Sequence, residues 1–163
     1  MLKYSMKVKI KHYVKEFILF VAFITILTNV ISLYKSQSLT KEPLQLNYTF
    51  PHANKPILIH FWATWCPVCK VEAPNIQILS KHYNVITIAV KSNIDQINNY
   101  MEQNNLDFKV INDSDGFMAK QFNIAVYPTT FIYNKDKKLI FSEVGYTSTF
   151  GMWVRLLWAE FDG

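Results

Sequence analysis

Between Ile57 and Trp62 the chain reads I-L-I-H-F-W, apolar on both faces apart from His60. That is the pattern of a central parallel strand covered by helices on both sides. Asn84 to Val90, N-V-I-T-I-A-V, predicts a second buried strand. Between them, Pro67 to His82 has helical spacing, with Val68, Val71, Ile76, Leu79 and Tyr83 near one apolar face. Pro74 removes one backbone hydrogen bond there and predicts a kink. Strand, helix, strand implies parallel pairing through a right-handed crossover.

Asn93 is placed to cap a helix running to about Asn104 through Ile94, Ile97 and Met101. Lys109 to Ile111 suggests a short strand, Asp113 or Ser114 a helix cap, and Gly116 to Phe122 a short helix ended by Asn123. Tyr127 to Tyr133 forms a strand introduced by Pro128, and a turn over Asn134 to Lys137 leads into Lys138 to Val144, an antiparallel hairpin. After Gly145, the residues Phe150, Trp153, Val154, Leu157 and Trp158 put apolar groups on one face of a terminal helix that can cover the sheet, with both tryptophans in the core by default and membrane contact the lesser reading. Ahead of all this, Leu44 to Phe50 alternates apolar and polar residues as an edge strand does, followed by a loop over Pro51 to Lys55.

The front of the chain follows a different pattern. Phe17 to Tyr34 carries no charge and is long enough to cross most of a bilayer core as a helix. Residues 1–16 hold five lysines against Glu16, so four of the chain's five net positive charges lie before the uncharged run. A phosphate-binding surface needs its lysines on the folded domain, which argues against a nucleic-acid partner. Lysines before a span instead hold the N-terminus in the cytoplasm and send the following domain across the cytoplasmic membrane to its periplasmic or extracytoplasmic side. A cleaved signal peptide is the alternative, but its apolar region is shorter, about 7 to 15 residues, and Ser36-Gln37-Ser38 is a poor cleavage site. The expected organisation is a basic tail over 1–16, a single membrane anchor over 17–34, a polar tether over 35–43 and one domain over 44–163.

The only two cysteines stand at the junction between the first buried strand and the helix after it, as Cys66-Pro67-Val68-Cys69. A cysteine at a helix start faces unsatisfied backbone N–H groups and the positive end of the macrodipole, which favour thiolate over thiol. Pro67 suits the first helical position, and Cys69 falls one turn along, within disulfide reach. A static structural disulfide is the plainer reading, yet so small a loop constrains the unfolded chain little. A second functional class is a Cu(I)-binding or copper-tolerance module using the same two thiolates. A closed zinc site wants four ligands, and His12, His52 and His82 show no ligand spacing, so no metal site and no cofactor beyond the cysteine pair is expected.

The run F-W-A-T-W-C-P-V-C-K-V-E-A-P, with Y-P-T-T about 60 residues later, resembles the thioredoxin superfamily, over roughly residues 44 to 160. More narrowly it is similar to the membrane-anchored TlpA-like protein disulfide oxidoreductases, the Pro-Val dipeptide resembling their ScsD-type branch. The resemblance implies an α/β thioredoxin-like fold with a central mixed sheet flanked by helices. It implies that Cys66 is the attacking thiol, Cys69 the resolving thiol, and Pro128 a cis proline facing them. It implies protein thiol and disulfide substrates, a reductive direction, and a membrane electron donor of the thiol–disulfide interchange type.

Two departures stand out: Pro-Val replaces the Gly-Pro of many relatives, and His60 occupies a position where thioredoxins commonly carry a buried aspartate. His60 either relays a proton for the second cysteine or is a hydrogen-bonded core histidine. Glu72 either assists proton transfer near Cys69 or complements the helix dipole, the simpler role. Trp62 and Trp65 are candidates to frame a substrate groove, with Trp62 expected in the core and Trp65 at the rim, and Tyr127 is a supporting residue whose cis bond to Pro128 would present a free backbone edge beside the sulfurs.

Overall fold

The computed structural model describes residues 2–36, 39, 50–52 and 54–162. Helix α1 spans Leu2–Ser36. Strands β1 (Ile57–Trp62), β2 (Asn84–Val90), β3 (Val110–Asp113), β4 (Thr129–Tyr133) and β5 (Leu139–Val144) alternate with helices α2 (Pro67–Ser80), α3 (Ile94–Gln103), α4 (Phe117–Gln121) and α5 (Thr149–Phe161). Most of the tether and of the edge strand expected over Leu44 to Phe50 lie outside the described residues.

The five strands form one mixed sheet in the order β3-β2-β1-β4-β5. β1 lies parallel to β2, with Ile57 opposite Asn84, and antiparallel to β4, with His60 opposite Thr130. Every residue of β1 is buried, which is why it tolerates an apolar side chain at nearly every position. Its alternation divides two cores. Leu58 and Trp62 share one with Cys69, Ile76 and Leu79 of α2, Tyr100 of α3 and Met152 and Leu156 of α5. Ile57, Ile59 and Phe61 share the other with Ile86, Ile88, Phe131 and Ala119 of α4. Fully burying a side chain such as Ile59 or Phe61 contributes about 1.5–3 kcal/mol relative to leaving it in water.

Local signals account for the helix starts. Asn93 caps α3 through a reciprocal pair of bonds with Gln96, at 2.8 and 2.9 Å. The Asp113 carboxylate accepts the N–H groups of Met118 and Ala119, both at 2.9 Å, and so anchors the short α4. The proline in α2 does not end it: the helix runs from Pro67 through Pro74 to Ser80.

Two helix faces differ from the expected ones. In α2 the buried residues are Cys69, Glu72, Ala73, Ile76 and Leu79, while Val68 and Val71 point outward, Val71 at 67% exposure. The inward stripe is set by Ala73, Ile76 and Leu79, and extending it one turn back lands on Glu72 and Cys69 rather than on the valines. In α5 the buried residues are Met152, Leu156 and Ala159. Trp153 and Trp158 are exposed, at 43% and 64%, where the sequence reading placed them in the core. This helix carries two apolar stripes, and the one with the smaller side chains is the one that lets the helix approach the sheet closely.

Among the described residues no helix is long and apolar enough to cross a membrane. The uncharged run Phe17 to Tyr34 lies on α1, and within that run the side chains at 25, 28, 29, 32 and 33 fall outside the described set. The anchor therefore rests on its sequence and not on an observed span.

Candidate active site

The end of β1 delivers the chain into a turn, Ala63 to Trp65, closed by the Cys66 N–H donating to the Ala63 carbonyl at 3.1 Å. Three connections gather there. Thr64 is bound to Ser92, after β2, through its backbone N–H at 3.2 Å and its hydroxyl at 3.0 Å. The Trp65 indole donates to the Lys91 carbonyl at 3.4 Å, and its ring meets Tyr127 edge to face at a centroid distance of 5.8 Å. Tyr127 in turn precedes Pro128 through a cis peptide bond, and the buried Pro128 accepts the Gly145 N–H at 2.8 Å. The cysteine turn and the Tyr127-Pro128 turn thus share one end of the sheet.

Cys66 is the N-cap of α2 and Pro67 its first residue. Cys66 and Cys69 are joined by a disulfide, with their Cα atoms 5.3 Å apart. The Cys69 N–H donates to the Cys66 Sγ at 3.1 Å. This donor remains available when the bond opens and favours a negative charge on Cys66. Both cysteines are buried, Cys66 at 5% exposure and Cys69 at 1%, so the residue at the cap is the slightly more exposed of the two. Trp65 is exposed at the rim and Trp62 is buried in the core, as the pattern of the strand implied. Pro67, Val68, Val71 and Tyr146 line a shallow apolar hollow beside the cap.

The buried face of α2 also carries part of a second group, whose members are far apart in the sequence. Glu72 follows Cys69 by one turn on the buried face of α2 and is wholly enclosed. Its Oε1 accepts the Thr147 N–H at 2.7 Å, and its Oε2 has no hydrogen-bond partner. Burial pushes this carboxyl up to about 8, and the Thr147 bond opposes that only in part. The His60 Nε2 stands 3.9 Å from Glu72 Oε2, while its Nδ1 lies 2.9 Å from the Thr130 hydroxyl. Burial pulls His60 down to about 3. From about pH 3 to 8 both groups are therefore neutral, and the contact is not an ion pair. A neutral, buried Glu72 does not complement the helix dipole, the simpler role expected of it. Thr130 and Thr147 were not identified from sequence; the signal for Thr130 is its register opposite His60, which only strand pairing reveals. Among the described residues there is no group of three or more His, Cys, Asp or Glu side chains that could hold a metal ion.

These shifts predict a specific dependence of stability on pH. Unfolded, Glu72 titrates near 4.5 and His60 near 6.5. Between about 4.5 and 6.5 the folded chain holds a proton on Glu72 and the unfolded chain holds one on His60, so the two slopes cancel. From about 6.5 to 8 only the folded chain keeps its proton, and stability falls as pH rises, by at most about 1.4 kcal/mol per pH unit. Denaturant unfolding of the oxidised protein across this range should show that decline, and Glu72→Gln should flatten it. An unchanged decline in the variant would mean that another group carries it.

Comparison with known proteins agrees with this geometry. The chain is 39% identical over 112 residues to a thioredoxin-like protein of Haemophilus influenzae, covering 68% of this chain and 66% of that one. It is 27% identical over 105 residues to the sporulation thiol-disulfide oxidoreductase A of Bacillus subtilis, covering 60% and 64%. Among solved structures, a secreted disulfide oxidoreductase of Mycobacterium tuberculosis superposes with a TM-score of 0.57 at 25% identity, over 64% of this chain and 81% of that one. The chain spans between about half and two thirds of the length of the curated relatives it matches. The profile of the AhpC/TSA family matches residues 33–142, well over half of the chain, and the chain belongs to that family.

Proposed function

We propose that the protein is a thiol–disulfide oxidoreductase that reduces disulfides in protein substrates through Cys66 and Cys69. The observation that carries this reading is the Cys66 Sγ at the cap of α2, bonded by the Cys69 N–H, at the end of the sheet where the connecting loops meet. The relatives named as thiol-disulfide oxidoreductases support it, and the reductive direction follows the TlpA-like resemblance. A Cu(I)-binding module would draw on the same two thiolates, and no other observation favours it.

The chemistry is two exchanges. In the reduced enzyme the Cys66 thiolate attacks one sulfur of a substrate disulfide; that S–S bond breaks, and the other substrate sulfur leaves as a thiolate. In the minority of molecules whose Glu72 is ionised, a fraction that grows as the pH approaches 8, Cys69 then gives its proton to that carboxylate, and its sulfur attacks Cys66 Sγ. The Cys66–Cys69 bond forms and the second substrate thiolate departs. Substrate gains two electrons and the cysteine pair loses two. A carboxyl near 8 suits the proton step, because its proton affinity lies far closer to that of a thiol than an ordinary carboxylate's does.

Two variants assign the sulfurs. Cys69→Ser should trap substrates as stable mixed disulfides, and its remaining Cys66 should alkylate at pH 6 faster than the remaining Cys69 of Cys66→Ser. Trapping by Cys66→Ser alone would reverse the assignment.

The address belongs to the same proposal. The uncharged run over Phe17 to Tyr34, preceded by lysines, supports a single-pass anchor in the cytoplasmic membrane with the domain on the extracytoplasmic side, within reach of a membrane electron donor. Fractionation should recover the full-length chain with membranes, and protease added from outside should remove the domain. A soluble product beginning near Leu39 would refute the anchor.

A further inference from the structure

We infer that His60, held by Thr130, is a positioning residue whose two neutral tautomers fit the two protonation states of Glu72. The buried carboxyl then takes up and returns a proton without an imidazolium standing in the core. This rests on the reading of Glu72 as the group that receives the Cys69 proton.

The geometry supplies a chain of reversible partners. A neutral imidazole has one N–H and one acceptor nitrogen, and a hydroxyl both donates and accepts. Thr130 Oγ1 lies 2.9 Å from His60 Nδ1, and His60 Nε2 faces Glu72 Oε2 at 3.9 Å, with both His60 and Glu72 buried. Oε1 is already occupied by the Thr147 N–H, so the proton of a neutral Glu72 belongs on Oε2. In that state the Oε2–H points at an Nε2 lone pair, and the ring proton sits on Nδ1 and donates to Thr130. With Glu72 ionised, Nε2 carries the ring proton and donates to Oε2, while the Thr130 hydroxyl turns and donates to Nδ1. The separation of 3.9 Å is longer than a hydrogen bond, so each state requires the two side chains to approach by about 1 Å.

The protons balance. When Glu72 accepts the Cys69 proton, the pair gains one proton and loses its negative charge; the end states differ by that one proton, and the ring is neutral in both, with its N–H on Nε2 before and on Nδ1 after. Histidine suits this position because a carboxylate there would repel an ionised Glu72, and an aliphatic side chain would leave Oε2 bare in both states. Around the pair, α2 brings Cys66 and Cys69. α5 and β5 bring Arg155 and Glu143, which bind each other with Arg155 Nε 2.8 Å from Glu143 Oε1. β1, β2 and β4 add no acid or base besides His60 and Tyr133, and Tyr133 belongs to the core on the other side of the sheet.

The test is long-range 1H–15N NMR of the full-length chain in detergent, labelled with 15N-histidine and with His60 assigned by His60→Gln. Below about pH 8 the His60 ring should be the Nδ1–H tautomer and above it the Nε2–H tautomer, and Glu72→Gln should abolish the change. One tautomer from pH 6 to 10, an imidazolium in that range, or a change that survives in Glu72→Gln would overturn the proposal.

The pH profile of disulfide exchange separates this claim from the one beneath it. His60→Leu should move the Glu72-dependent limb to higher pH and slow exchange at pH 7 about tenfold, equivalent to roughly 1.4 kcal/mol. Thr130→Val, which favours the Nε2–H tautomer, should move the limb to lower pH. If the limb vanishes in Glu72→Gln but is unmoved in both other variants, the tautomer proposal alone fails. If it persists in Glu72→Gln, the proton role of Glu72 fails and the proposal falls with it.

Discussion

The first turn of α2 has backbone N–H groups that no carbonyl of the helix can reach, and the Sγ of Cys66 meets one of them. That bond depends on where the sheet ends. β1 is central, parallel to β2 and antiparallel to β4, so its carboxyl end is flanked by the connection after β2 and the turn before β4. Thr64 to Ser92 and Trp65 to Tyr127 are the contacts that hold those segments together. A sulfur held this way stands at the start of a rigid element, with its partner one turn further along.

The same helix carries a carboxyl into the core, which is the main departure from an efficiently packed structure. Glu72 stands where an apolar residue would bury without penalty, and its Oε2 makes no hydrogen bond in the oxidised state. Burying an ionised carboxylate is expensive, so the group stays protonated to about pH 8. The proposed proton exchange with Cys69 is what would use a carboxyl at this place. The opposite shift at His60 makes the two groups a net-neutral unit at neutral pH.

Much of this was legible in the chain. Two continuous apolar runs, a Cys-Pro-Val-Cys junction and a Tyr-Pro turn before a hairpin are local signals, and each survives into the structure because tertiary packing reinforces it. The faces of α2 and α5 were not legible. Val68 and Val71 are apolar and Glu72 is charged, so hydropathy alone reverses the inward side; in α5 bulkier aromatic residues lose the sheet to Met152, Leu156 and Ala159. Nor could the partners of the buried pair be found. Thr130 and Thr147 lie 70 and 75 residues from the side chains they bind, and strand register and a loop crossing bring them there.

The claim on which everything else rests is that the Cys66–Cys69 bond opens and closes in the folded protein. Equilibrating the full-length chain with thiol–disulfide buffers of graded potential, and counting free thiols by alkylation while far-UV dichroism monitors the fold, tests it directly. The account predicts one reversible two-electron transition of about 30 mV per decade and no loss of structure, and the proposed reductive direction calls for a midpoint nearer about −270 mV than about −120 mV. A midpoint near about −120 mV would reverse the direction of electron flow. A bond that stays closed below about −300 mV, or opens only as the chain unfolds, would make the pair a structural disulfide and contradict the account.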